Sequence, residues 1–368
     1  MGLSRVVRTG RTAVVAVVAL ALWGATTAVA PLASAVPQGR YSVVVQPEDG
    51  LTPVYRLIDS ARHDVDLITY QLTDTMAVQK LVARQKAGIR TRVILDQRQQ
   101  QVNGPAYTAL KDGGVDVVWS DARFSYTHQK TLVVDGTTAL VMTGNLVPKR
   151  YATYRDYGIV DTDPADVAAV ERVFAADHAH APVTPERGSH LVWSPTDARR
   201  QLLGLISRAR TNLWVECLEM SDTEVIDALA AAARRHVQVT VVMTNTKNTY
   251  ARAFDTLTAA GVRVSTYAPS DTPYIHAKAI VADHATAREQ VFIGSENFTP
   301  TSLDKNRELG VILPHKAIAD RVQSVIAHDF AGATPWTRKE SSSGPLTTLR
   351  TTVNQTLSPA PAAAAPTG

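Results

Sequence analysis

The strongest constraint on what this chain can fold into is that it repeats itself. Positions 148 residues apart match over a long stretch: Leu57-Ile58 with Leu205-Ile206, Ala61-Arg62 with Ala209-Arg210, Asp74-Thr75 with Asp222-Thr223, Leu81 with Leu229, and Val93 with Val241. The same offset holds at Tyr126/Tyr274, His128/His276, Lys130/Lys278 and Asp135/Asp283. One structural unit is therefore used twice.

Each copy reads as a helix ending near Arg62 or Arg210, an apolar strand, a second helix and another strand. The strands are expected at Val65 to Leu72 and Thr91 to Leu95, then at Leu213 to Met220 and Gln238 to Met243. Val78, Leu81 and Val82, matched by Val225, Ile226, Leu229 and Ala230, give the second helix one apolar face. Gly113-Gly114 and Gly261 end a further helix before a strand. Strands alternating with helices predict a layered α/β architecture. The expected partition is a first domain over 36–183, a linker over 184–196 with two prolines, Gly188 and Ser189, and a second domain over 197–336.

The ends differ from this pattern. Residues 1–35 combine Arg5, Arg8 and Arg11 with an apolar run from Thr12 to Trp23 and a small-x-small triplet, Ala33-Ser34-Ala35. That is the pattern of a cleaved signal peptide, so a secreted protein beginning near Val36 is expected, with an uncleaved anchor as the alternative. Residues 337–368 are rich in Ser, Thr, Pro and Ala and read as a disordered tail. The formal charge of +4 falls to +1 without the three leader arginines, and to about −1 without the tail. A pI of 9.1 is therefore no argument for nucleic-acid binding. Cys217, the sole cysteine, excludes an internal disulfide and reads as an inert thiol in a buried strand.

Chemistry concentrates in two segments, Tyr126-Thr-His128-Gln-Lys130-Thr-Leu-Val-Val-Asp135 and Tyr274-Ile-His276-Ala-Lys278-Ala-Ile-Val-Ala-Asp283. Strand alternation puts His and Lys on one face, where an imidazole and an ammonium suit a phosphate. Downstream lie Thr143-Gly144-Asn145 and Gly294-Ser295-Glu296-Asn297, then Asp156 and Glu308, 28 and 32 residues after the respective His. A carboxylate that accepts the Nδ1 proton would leave Nε2 free to attack or to donate. HExxH and Cys/His clusters are missing, so no metal and no cofactor are expected.

Two HxKxxxxD motifs, each followed by Gly and Asn, resemble the paired signature of the phospholipase D superfamily over residues 41 to 335. The resemblance implies two α-β-α layered domains with mixed sheets, packed so that both motifs share one active site at their interface. It implies His128 as nucleophile, His276 as general acid and base, and Lys130, Lys278, Asn145 and Asn297 on the non-bridging oxygens, with Ser295 and Gly144 also lining the phosphate. Asp156 and Glu308 would orient the imidazoles, and Asp135 and Asp283 would brace the motifs.

The leading expectation is hydrolysis of a phospholipid, at a membrane or micelle surface, to phosphatidic acid and an alcohol. Nucleic acid is the second choice of substrate. Phosphatidyl transfer of the cardiolipin-synthase kind ranks lower, because no transmembrane pair precedes the first copy. Two motifs in one chain make a protein partner unnecessary. Loops at Gln97 to Tyr107 and Thr244 to Arg252 are expected to rim the pocket, the second more as a solvated turn than as a phosphate clamp.

Overall fold

The computed structural model describes residues 39–337 and, before them, Gly2 alone. The signal-peptide expectation and nearly all of the tail lie outside the described residues. The first half runs β1 (Tyr41–Gln46), α1 (Thr52–Ser60), β2 (Asp64–Thr69), α2 (Thr75–Lys86), β3 (Arg90–Leu95), α3 (Gln100–Asp112), β4 (Asp116–Trp119), β5 (Lys130–Val134), β6 (Thr138–Met142), β7 (Tyr154–Asp161) and α4 (Pro164–His178). The second half runs β8 (Leu191–Ser194), α5 (Ala198–Arg208), β9 (Asn212–Cys217), α6 (Thr223–Arg234), β10 (Gln238–Thr244), α7 (Ala251–Ala259), β11 (Arg263–Tyr267), β12 (Tyr274–Ile275), β13 (Lys278–Ala282), β14 (Gln290–Gly294), α8 (Pro300–Asp304), β15 (Glu308–Leu313), α9 (Lys316–Gly332) and β16 (Thr334–Pro335).

Both halves form a mixed sheet, ordered β1-β7-β6-β5-β2-β3-β4 and β16-β11-β10-β9-β13-β14-β15-β8. β2, β3 and β4 are parallel, as are β9, β10 and β11, because a helix crosses between consecutive strands. β5 to β7 and β13 to β15 add antiparallel strands to each sheet. In the first half, Ile58, Leu81 and Leu110 of α1, α2 and α3 pack on Leu67, Val93 and Leu132. Ile206, Leu229 and Phe254 do the same on the second sheet. The other faces meet in a shared core in which Val141 and Ile159 join Ile293 and Val311, flanked by Val170 of α4 and Val322 of α9. No helix among the described residues is long and apolar enough to cross a membrane.

The expected linker 184–196 needs correction. Leu191–Ser194 is β8, antiparallel to β15 as β1 is to β7, so the second unit starts before Ala198. Prolines and a glycine flank this strand and disguised it. The expected loop Gln97 to Tyr107 is a 3-10 turn leading into α3, with the Asp96 carboxylate capping the Arg98 amide at 2.8 Å. After β10, residues Asn245 to Tyr250 do form a loop. There Asn245 accepts from the Asn248 amide at 3.1 Å, and Lys247 is exposed. Strands β2 and β9 stop at Thr69 and Cys217, three residues short of the expected ends, because the chain turns there to form the site.

Candidate active site

β12 is where the halves interlock. It leaves its own sheet and pairs in parallel with β7 of the first half, Tyr274 with Tyr154 and Ile275 with Arg155. The first half reciprocates: Thr127 bridges Arg307, and the His128 and Gln129 amides donate to the Arg307 carbonyl at 2.9 and 3.0 Å. Each motif is thus carried onto the strand that bears the other half's carboxylate. Two buried ion pairs fasten the exchange, Arg155 Nε to Asp329 of α9 at 2.6 Å and an Arg307 amine to Asp177 of α4 at 3.0 Å.

The orienting carboxylates are consequently crossed. His128 Nδ1 lies 2.8 Å from Glu308 Oε2, and His276 Nδ1 lies 2.8 Å from Asp156 Oδ1. The 28- and 32-residue spacings left open which carboxylate serves which imidazole, and the strand exchange decides it: each serves the histidine of the opposite copy. Ser302 and Asn306 hold Glu308 Oε1 at 2.5 and 2.9 Å, and Thr143 holds Asp156 Oδ1 at 2.6 Å. The carboxylates are fixed before substrate arrives, and each imidazole keeps Nε2 for chemistry.

Lys130 and Lys278 are buried, and each ammonium turns back onto the carbonyl of its motif histidine, Lys278 at 2.6 Å. Asn145 and Asn297 are buried with Oδ1 atoms that have no hydrogen-bond partner among the described residues. It is the Nδ2 groups, engaged in no hydrogen bond among the described residues, that can donate to an anion. Gly144 is required by crowding: a Cβ there would sit 2.8 Å from the Asp156 carboxylate. Ser295 departs from expectation. Its hydroxyl accepts from the Leu309 amide at 3.1 Å and is fully buried in the β14–β15 ladder, so it braces the sheet instead of facing a phosphate. Asp135 and Asp283 stand at positive φ, and each carboxylate accepts backbone amides at the start of β2 or β9: His63 to Asp135 at 2.7 Å, Thr211 to Asp283 at 2.7 Å.

Sequence reading missed several residues. Tyr70 stands edge-on to His128, with ring centroids 4.7 Å apart, and Tyr154 lies 5.6 Å from His276. Asp96 accepts the Thr127 amide at 2.5 Å; at the equivalent place Thr244 accepts the Ile275 amide at 2.8 Å. An available signal was the change of offset. Asp283 to Gln290 is a longer connection than Asp135 to Thr138, so beyond it the copies match at 152 residues, as in Arg155/Arg307, Asp156/Glu308 and Asp177/Asp329.

Burial lowers the pKa of both imidazoles to about 4, outweighing the carboxylate that each one touches. Burial also lowers both lysines. Asp156 and Glu308 resist the upward pull of burial and are held low by the imidazoles and ammoniums beside them. Two lysines thus face two carboxylates, and an anionic ligand would add the negative charge that favours protonation of an imidazole.

This has a consequence for stability. Each histidine is neutral when folded and would be protonated near its ordinary pKa of 6.5 when unfolded. Its contribution is complete above that pH and is lost as pH falls toward 4, on the order of 3 kcal/mol per histidine. Thermal unfolding should show Tm dropping steeply between pH 7 and 4.5, with a shallower slope in His276→Gln. An unchanged slope would contradict the neutral buried imidazole.

Two His/Lys motifs that converge with crossed carboxylates on one pocket define a phosphodiester-transferring enzyme of the phospholipase D superfamily. The chain belongs to the family described as cardiolipin synthase, PLD-like domain, whose model matches residues 54–178 and 202–330. It is 26% identical over 335 residues to cardiolipin synthase A of Pseudomonas putida (strain GB-1), which covers 78% of this chain and 68% of the relative. Its fold resembles phosphatidylserine synthase of Haemophilus influenzae, with TM-score 0.63, 11% identity and coverage of 81% of this chain and 87% of that one. Polyphosphate kinase of Porphyromonas gingivalis gives TM-score 0.64 at 17% identity, over 78% of this chain but only 46% of the kinase.

Proposed function

We propose that this protein is an exported phospholipase D that hydrolyses phospholipids to phosphatidic acid and a free alcohol through a phosphohistidine. The observation that carries this reading is the pair of imidazoles, each with Nδ1 engaged by a buried carboxylate and flanked by a buried lysine and an asparagine. His128 Nε2 attacks phosphorus, the bond to the headgroup oxygen breaks, and His276 gives that oxygen its proton. Water then attacks phosphorus as His276 takes its proton back, and the P–N bond breaks. Lys130, Lys278, Asn145 and Asn297 offset the charge on the non-bridging oxygens in both steps.

A lipid substrate is supported by relatives named for cardiolipin and phosphatidylserine synthesis. A core charge of about −1 also gives a polyanion little to hold. Those same relatives favour a second reading, in which an alcohol replaces water as phosphatidyl acceptor. Purified protein in EDTA should be presented in parallel with phosphatidylcholine micelles, the same micelles plus glycerol, and plasmid DNA. Choline and phosphatidic acid in both micelle samples support hydrolysis, whereas predominant phosphatidylglycerol in the second supports transfer. Plasmid nicking without choline release overturns the lipid reading, and loss of all activity in EDTA overturns the metal-free steps.

A further inference from the structure

Single exposed apolar side chains are ordinary on a protein surface and carry meaning only where they gather. Among the described residues, the large ones that stand exposed are Met76 at 48%, Tyr126 at 39% and Val102 at 38%. All three border one turn, Tyr70 to Met76, which leads from β2 into α2. Met76 closes it, its amide donating to the Asp74 cap at 2.9 Å. Val102 is held beside it by its neighbour Asn103, whose side chain accepts from the Leu72 amide and donates to the Tyr70 carbonyl, both at 2.9 Å. Tyr126 meets the Tyr70 ring edge-on at 5.9 Å between centroids, and Tyr70 in turn stands against His128. The apolar group therefore rims the site on the His128 side.

Two exposed cations share this edge. Arg98 precedes Gln99, which accepts from Gln71 of the same turn at 2.9 Å. Lys149 stands in the 3-10 turn Pro148–Arg150, close behind Leu146, whose carbonyl accepts the Thr73 and Asp74 amides at 2.9 and 3.1 Å. No exposed acid lies within 70–76, 97–102 or 146–151, since Asp74 is buried as the cap of α2.

The second half repeats the turn without these features. Met76 corresponds to Glu224, Arg98 to Thr246 and Lys149 to Thr301. Val102 corresponds to Tyr250, which packs on the core of its own half, and Tyr126 to Tyr274, which stacks on Tyr154 at 4.6 Å. A feature that the fold requires would recur in both copies; one confined to a single copy reflects what that copy touches. Apolar tips interspersed with cations match the boundary of a bilayer, where acyl chains receive the tips and anionic headgroups the cations. We propose that this edge of the first half lies on the membrane, with Met76, Val102 and Tyr126 entering the headgroup boundary and Arg98 and Lys149 holding anionic lipid. This rests on the phospholipid reading and names the surface that meets the lipid.

The test is co-sedimentation with vesicles of phosphatidylcholine alone and of phosphatidylcholine mixed with phosphatidylglycerol, at low and high salt. Binding is read in a His128→Ala background, which keeps the lipid intact. The parent should prefer the mixed vesicles at low salt. Met76→Glu with Val102→Glu should weaken binding to both vesicles about tenfold or more, and Arg98→Glu with Lys149→Glu should do so for mixed vesicles at low salt. Lys247→Glu, on the corresponding loop of the second half, should bind like the parent. Glutamate in the first turn of α2 or α3 agrees with the helix dipole, and in the active protein all three changes should leave turnover of bis-p-nitrophenyl phosphate unchanged. No binding by the parent, full binding by both double variants, or an equal loss in Lys247→Glu overturns the proposal. A parent dimer that the Met76 and Val102 changes turn monomeric overturns it too, by assigning the edge to a second copy. Active protein that docks through this edge yet releases no phosphatidic acid refutes the phospholipid reading and leaves the docking surface standing.

Discussion

His128→Ala and His276→Ala should each lower turnover of a phosphodiester by about 10⁴-fold or more, since each step of the reaction needs both imidazoles. The two variants should separate when the leaving group is p-nitrophenolate, which departs without a proton. With a radiolabelled p-nitrophenyl phosphodiester, His276→Ala should still form the phosphoenzyme and then stall, because no base activates water for the second step. His128→Ala should form none. Label retained on His128→Ala and absent from His276→Ala would reverse the roles. Label on neither, with nitrophenol still released, would exclude the covalent intermediate.

Glu308→Gln should lower turnover by about 10²–10⁴-fold and share the phenotype of His128→Ala, although Glu308 lies in the copy that contains His276. An amide at that position offers its Nδ1 neighbour the wrong partner, so the imidazole turns or takes the other tautomer. Asp156→Asn should instead share the phenotype of His276→Ala and accumulate label. This follows from the crossed contacts, His128 to Glu308 and His276 to Asp156, both 2.8 Å. If Asp156→Asn failed to form the phosphoenzyme and Glu308→Gln accumulated it, each carboxylate would be serving the histidine of its own copy. Both variants keep side-chain volume, so their thermal unfolding at pH 7 provides the control for folding.

Much of the fold could be read from periodicity. The strands ending at Leu95 and spanning Gln238 to Met243 were placed within a residue or two, because a parallel strand buried on both faces is an unbroken apolar run between helices with one apolar stripe. β8 escaped because four residues, Leu191 to Ser194, carry too little pattern to stand out between prolines. Tyr70 escaped for another reason. It lies just beyond the end of β2, where side-chain direction depends on how the chain turns and no period reports it. Ser295 was misjudged because its hydroxyl could equally have faced a phosphate or the Leu309 amide, and only the packed ladder decides between them.

By itself the sequence determined the number of units, their α/β layering and the residues of the two His/Lys motifs, because duplication and strand periodicity are local properties that survive without a partner. The tertiary structure alone decided how the halves share a site. β12 pairs with β7, and Thr127 bridges Arg307, so each histidine meets the carboxylate of the opposite copy. Spacing along a chain cannot report a contact made by exchange, because 120 residues separate His276 from Asp156 and 180 separate His128 from Glu308. Those contacts exist because the two sheets bury their inner faces against each other, and that burial brings the motif segments within reach of the opposite strands.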